Sequence, residues 1–162
     1  MRIRNASMSV IVELMNASGE TAVPSQREFE GWSNAVLKEL NQSEQAFELG
    51  IRLVSENESA DLNQNFRNKQ GPTNVLSFHY EGILPEAQQN LLGDLAICSQ
   101  VVIHEAKEQH KMIKAHWAHM TIHGMLHLLG HDHQDDMEAE TMEKLESNIL
   151  VKLGYSQPYK EL

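Results

Sequence analysis

Four short stretches, residues 10–14, 49–54, 74–78 and 92–98, are apolar or alternate in polarity in the manner of β-strands. Between the first two, Phe29, Trp32, Val36 and Leu40 recur at i, i+3, i+7 and i+11, one stripe of a helix, and Pro24-Ser25 followed by Glu28 gives that helix a capping-box start. Ser59 predicts the cap of a short helix with Leu62 and Phe66 on one side; it ends near Arg67, before Gly71-Pro72 turns the chain into the third strand. Residues 81–90, with Gly82 and Pro85, read as a surface loop, and Ser99 begins another helix after the fourth strand. Residues 112–129 are apolar on nearly every side, the pattern of a helix surrounded by protein. A last helix spans residues 135–153, with Met142, Leu145, Ile149 and Leu153 at helical spacing and Gly154 as its stop. About four strands and five helices without strict alternation predict an α+β fold built around the central, histidine-bearing helix.

At 162 residues the chain has the size of one domain, and it contains neither an internal repeat nor a linker long enough to separate a pair of domains. Such a domain folds without disulfides or a structural metal, so a bound metal is free to be catalytic. Cys98 is the single cysteine and reads as core; no intramolecular disulfide can form, which suits a reducing compartment. The apolar run near the start is too short for a secretory segment, so a cytoplasmic location is expected, with Met8 as an alternative start to Met1. Residues 112–129 approach a membrane span in apolarity, but His116, His119, His123 and His127 interrupt them, and no membrane partner is expected.

The formal net charge of -10 counts against nucleic-acid binding at long range. It is unevenly spread: residues 132–146 hold seven acids against Lys144, whereas Arg52, Arg67, Lys69, Lys107, Lys111 and Lys114 keep the middle of the chain less acidic. A local basic groove and scattered solvated charges are both compatible with that distribution.

From His123 the chain reads His-Gly-Met-Leu-His-Leu-Leu-Gly-His-Asp-His, which contains H-x-x-x-H-x-x-G-x-x-H. At about 100° per residue, positions four apart lie one turn apart on the same helix face, so His123 and His127 can aim at one point. Gly130 can adopt the left-handed conformation that ends a helix, letting the reversed chain carry His133 back to them. Three neutral imidazoles leave the fourth tetrahedral position open, the arrangement of catalytic zinc. Zinc, one per chain, is preferred, and nickel, copper or iron would accept the same ligands. His119 and His131 also stand four residues from a member of the set, but only His123, His127 and His133 use the Gly130 turn. His116 and His119 continue the stripe as hydrogen-bonding support or pocket wall.

Zinc peptidases carry H-E-x-x-H, with the glutamate as general base. Gly124 occupies that position, which disfavours a peptidase or amidase. Phosphodiester cleavage tolerates the loss better, since a metal and a guanidinium can stabilise charge at phosphorus. Arg67 is the candidate phosphate clamp, with a surface arginine as the plainer alternative. Asp132 either orients a ligand imidazole or the metal's water, or caps the final helix.

At these residues the sequence resembles the YbeY family of bacterial proteins, described as metal-dependent endoribonucleases and ribosomal RNA maturation factors. The likeness covers Leu62-Asn63 with Phe66-Arg67, the run from Gly71 through Asn74 to Phe78, Leu92-Gly93-Asp94 to Ile97, the His123–His133 motif and Leu153-Gly154-Tyr155. The first fifty or so residues carry little of it, and His79 stands where the family usually has proline. The resemblance implies that His123, His127 and His133 bind the metal and that Arg67 contacts phosphate. It also implies a small mixed sheet and cleavage of single-stranded RNA, in small-subunit ribosomal RNA maturation and ribosome quality control. The implied partners are RNA, the small ribosomal subunit and its assembly factors; DNA is not expected. Two rivals stand beside this expectation: a zinc peptidase or amidase, and a non-enzymatic assembly factor stabilised by its metal.

Overall fold

The computed structural model describes residues 10–43, 46–80 and 90–159. The expected surface loop at residues 81–90 lies, apart from its last residue, outside the described residues, as does Met8. The observed elements follow the predicted order: β1 (Val10–Asn16), α1 (Gln26–Glu39), β2 (Phe47–Val54), α2 (Glu56–Arg67), β3 (Val75–Phe78), β4 (Leu91–Cys98), α3 (Ser99–Glu108), α4 (Ile113–Leu128) and α5 (Asp136–Lys152). The fold is α+β, with five helices around a four-stranded sheet of order β1-β2-β4-β3. β1 with β2 and β2 with β4 are parallel, whereas β3 runs antiparallel to β4 at one edge, so the sheet is mixed.

Strand alternation sorts side chains to two cores. From β4, Leu95 and Ile97 enter the main core with Val12, Ile51, Phe29 and Trp32 of α1, Trp117 and Ile122 of α4, and Met142 and Ile149 of α5. Ala96 and Cys98 face the other way, joining Val54, Leu76, Leu62 of α2 and Val101 of α3 in a smaller cluster. Helices α4 and α2 therefore cover opposite faces of the sheet beside the edge strand β3, and this sandwiching positions the site.

α1 begins as expected, with Ser25 and Glu28 forming a reciprocal capping box. α2 departs from expectation: its cap is Ser55, whose hydroxyl accepts from Glu58 N, and Ser59 lies one turn inside. There the buried Ser59 hydroxyl donates to Thr73 O and accepts from Thr73 N, both at 3.0 Å, while Asn63 Nδ2 donates to Gly71 O at 2.9 Å. These bonds pin the loop between α2 and β3. α4 is buried on most sides, as the sequence predicts. Among the described residues, no helix is long and apolar enough to cross a membrane.

Candidate metal centre

His123 and His127 stand on one face of α4, their Nε2 atoms 3.2 Å apart. The helix ends at Gly130, which adopts φ +96° and reverses the chain, as required of a residue without Cβ. His133 returns beside the pair, with ring centroids 5.6 Å from His123 and 5.0 Å from His127. One nitrogen from each of the three lies within 4.8 Å of the others. Two nitrogens about 2.0–2.1 Å from a shared tetrahedral zinc would lie about 3.3–3.4 Å apart, so the Nε2 pair already has a ligand's spacing. The three residues therefore fit a divalent transition metal, and the donor set alone does not choose among those that favour imidazole.

Electrostatics hold the set ready. Burial, reinforced by the charges of His123, His133 and Arg67 against the opposing pull of Asp132, brings the His127 pKa down to about 4. His127 is thus neutral, the form that ligates a metal. His123 Nδ1 meets Glu146 Oε1 of α5 at 2.5 Å, and Glu146 is 1% exposed. Burial alone would raise the Glu146 pKa, but hydrogen bonds and charge from His119 and His123 hold it down to about 2. An ionised carboxylate there makes His123 Nδ1 the protonated nitrogen and turns the Nε2 lone pair outward to the groove.

The other oxygen of Glu146 accepts from the Tyr159 hydroxyl and lies 3.3 Å from His119 Nε2, which is also 3.1 Å from Tyr159 Oη. Burial keeps the His119 pKa low and pushes the Tyr159 phenol up. His119 therefore stands behind His123, on the same carboxylate. His116 instead pairs with Glu105 at 2.9 Å, away from the trio. His131 lines a separate hollow with Met137 and Thr141. Asp132 does not cap α5, a role that Asp135 takes; its Oδ1 accepts from the His133 main-chain N at 2.7 Å and lies 3.6 Å from His133 Nδ1.

The trio opens into a groove of about 860 Å³, within the range of ligand sites. β3 forms its floor, α4 and the Asp132–His133 segment one wall, and Phe66 and Arg67 at the end of α2 the other. Asn68, in left-handed conformation at φ 55°, ends that helix so that Arg67 stands at its exit. Of the basic residues in the middle of the chain, only Arg67 and Lys69 reach the groove; Arg52 is held by Glu58 at 2.6 Å and Lys114 by Glu28 at 2.9 Å.

Gly124 lacks the general base because α4 leaves no room for one. A Cβ there would lie 2.8 Å from Leu95 Cδ2 and 3.2 Å from Val75 Cγ2, so any side chain would enter the core instead of the groove. Its carbonyl accepts from Ser77 Oγ at 3.0 Å, tying α4 to β3.

Sequence reasoning missed Glu146 and Tyr159. Glu146 sits four residues after Met142 and three before Ile149, an acid on the buried stripe of α5, and that position was the available signal. No comparable signal marks Tyr159.

A family model described as Endoribonuclease YbeY matches residues 13–154. The solution structure of TM1509 from Thermotoga maritima is similar over 94% of this chain and 99% of that one, at a TM-score of 0.54 and 24% identity, a likeness of fold.

Proposed function

The chain belongs to the YbeY endoribonuclease family, and from that premise we propose that it cuts single-stranded RNA with one zinc ion held by His123, His127 and His133 and a substrate phosphate held by Arg67. The observation that carries this reading is the meeting of three imidazoles and a guanidinium in one groove. A divalent ion in such a ligand set supplies positive charge at a phosphoryl oxygen and lowers the pKa of water to about 7. Arg67 offers a planar fork matched to phosphate oxygens and orients the backbone of the substrate. Glu146 holds His123 in the ligating tautomer, and the depressed pKa of His127 keeps protons from competing at its nitrogen. The packing around Gly124 supports a nuclease over a peptidase, since the peptidase base has no place on α4.

By family resemblance, the substrate is small-subunit ribosomal RNA, and the partners are that subunit and its assembly factors, in maturation and quality control. The setting is the cytoplasm, which the free, buried Cys98 suits. Cleavage of a short single-stranded RNA by wild type and Arg67→Ala tests the reading. We expect chelator to abolish cutting and the variant to lose about a hundredfold or more in rate. Normal cutting by Arg67→Ala would remove the clamp, and chelator-resistant cutting would remove the metal.

A further inference from the structure

We propose that Phe66 is a stacking platform for an unpaired base next to the phosphate held by Arg67, and that this platform selects single strands; the inference rests on the RNA-cleaving reading above. Phe66 is 66% exposed, and of the large exposed hydrophobic side chains among the described residues it is the one that lines the groove. The ring has one packed neighbour: Phe78 meets it edge to face at 5.2 Å between centroids and 77° between planes. Phe78 is in turn fixed by strand alternation, on the same face of β3 as Leu76 and against the α2 side of the sheet. An aromatic ring packed on one edge and otherwise open to solvent has only two side-chain torsions to lose when a base stacks on it.

Position gives the platform its ligand. Phe66 directly precedes Arg67 in the last turn of α2, and both border the groove that holds the three histidines. A base on Phe66 and a phosphate on Arg67 therefore belong to adjoining parts of one nucleotide chain. β3 adds hydrogen-bonding groups below. Because Asn74 O accepts from Cys98 N, the antiparallel alternation turns the main-chain groups of Val75 and Ser77 toward the open edge, where Val75 N already donates to Asn74 Oδ1 at 2.7 Å and the groups of Ser77 face the groove. Duplex bases are stacked and paired already and can use neither feature, whereas unpaired bases can use both.

Charge makes such contacts necessary. The net charge of -10 opposes long-range attraction to RNA, and among the described basic residues only Arg67 and Lys69 line the groove. Stacking is sequence-tolerant and does not depend on counterion release, so it can hold RNA where electrostatics do not.

The test is equilibrium binding of a short 2′-O-methyl oligoribonucleotide, verified to stay uncut, by the full chain with zinc present. The probe is used intact and with a single abasic position walked along it, against wild type, Phe66→Ala, Phe66→Leu and Phe66→Trp. We expect Phe66→Ala to weaken binding about tenfold or more, Phe66→Leu to recover little of it, and Phe66→Trp to bind at least as well as wild type. One abasic position should cost wild type a similar factor and cost Phe66→Ala nothing further. Equal binding by wild type and Phe66→Ala, or an abasic loss of the same size in both, overturns the platform while leaving the nuclease reading intact. Recovery by Phe66→Leu identifies an apolar contact of another kind, such as a protein segment, and also overturns it. Failure of wild type to bind the intact probe overturns both. Because Phe66 is exposed, unchanged thermal melting and zinc content should accompany every variant.

Discussion

His123 is oriented by a carboxylate on another helix, at 2.5 Å from Glu146 of α5. Carboxylates in this relation to a ligating imidazole raise its basicity and fix its ring, and removing them costs about 10–100-fold in metal affinity. Glu146→Gln keeps the size of the side chain and removes its charge, so zinc affinity measured by chelator competition should fall within that range; unchanged affinity would refute the role assigned to Glu146. The meeting of His123, His127 and His133 was legible in the sequence because helix periodicity and a turn-forming glycine are local rules. Glu146 was not, since it closes a segment with seven acids, six of them outside the core, and only the docking of α5 on α4 separates it from the rest.

Among the elements, α2 sets the second wall of the groove, and its start shows where local reading fails. β2 ends at Val54 and the helix begins at Glu56, so Ser55 is both the strand's exit and the helix's cap. The pattern Ser55-x-x-Glu58 is a cap signal as good as the one at Ser25, but the absence of a loop before it hides the boundary. Ser59 reads as the cap because its neighbours look like a helix start; its hydroxyl is instead spent on Thr73, a contact across fourteen residues that no local pattern encodes. Ser59→Ala leaves both main-chain groups of the half-buried Thr73 without that partner, and should cost about 1–3 kcal/mol in urea unfolding. A variant as stable as wild type would show that the loop is held by other contacts.

In the molecule as a whole, fold class and element count followed from periodicity, whereas the strand order β1-β2-β4-β3 did not, since pairing is fixed by long-range packing that no window of sequence contains. That order puts β3 at the edge, between α2 and α4, and so creates the groove. Stability is linked to the same site. His127 has a folded pKa of about 4 against an ordinary 6.5, so between these values the unfolded chain binds more protons and stability falls as pH falls. Glu146, held at about 2 against 4.5, contributes stability that is fully present above 4.5 and is lost as pH drops toward 2. Both act in one direction. The metal-free chain should therefore show a urea midpoint that declines steadily below about pH 6.5, and a flat profile from about pH 7 to pH 4 would contradict the burial assigned to His127.

The most direct measurement of the central claim is metal content, by mass spectrometry, of wild type and His133→Ala purified in parallel. Because His133 reaches the other two only through the turn at Gly130, its loss should leave two ligands and a site too weak to retain its ion. About one zinc per wild-type chain, with little or none in the variant, is the predicted result. Equal metal in both proteins would contradict the three-histidine centre, and with it the proposed chemistry of the groove.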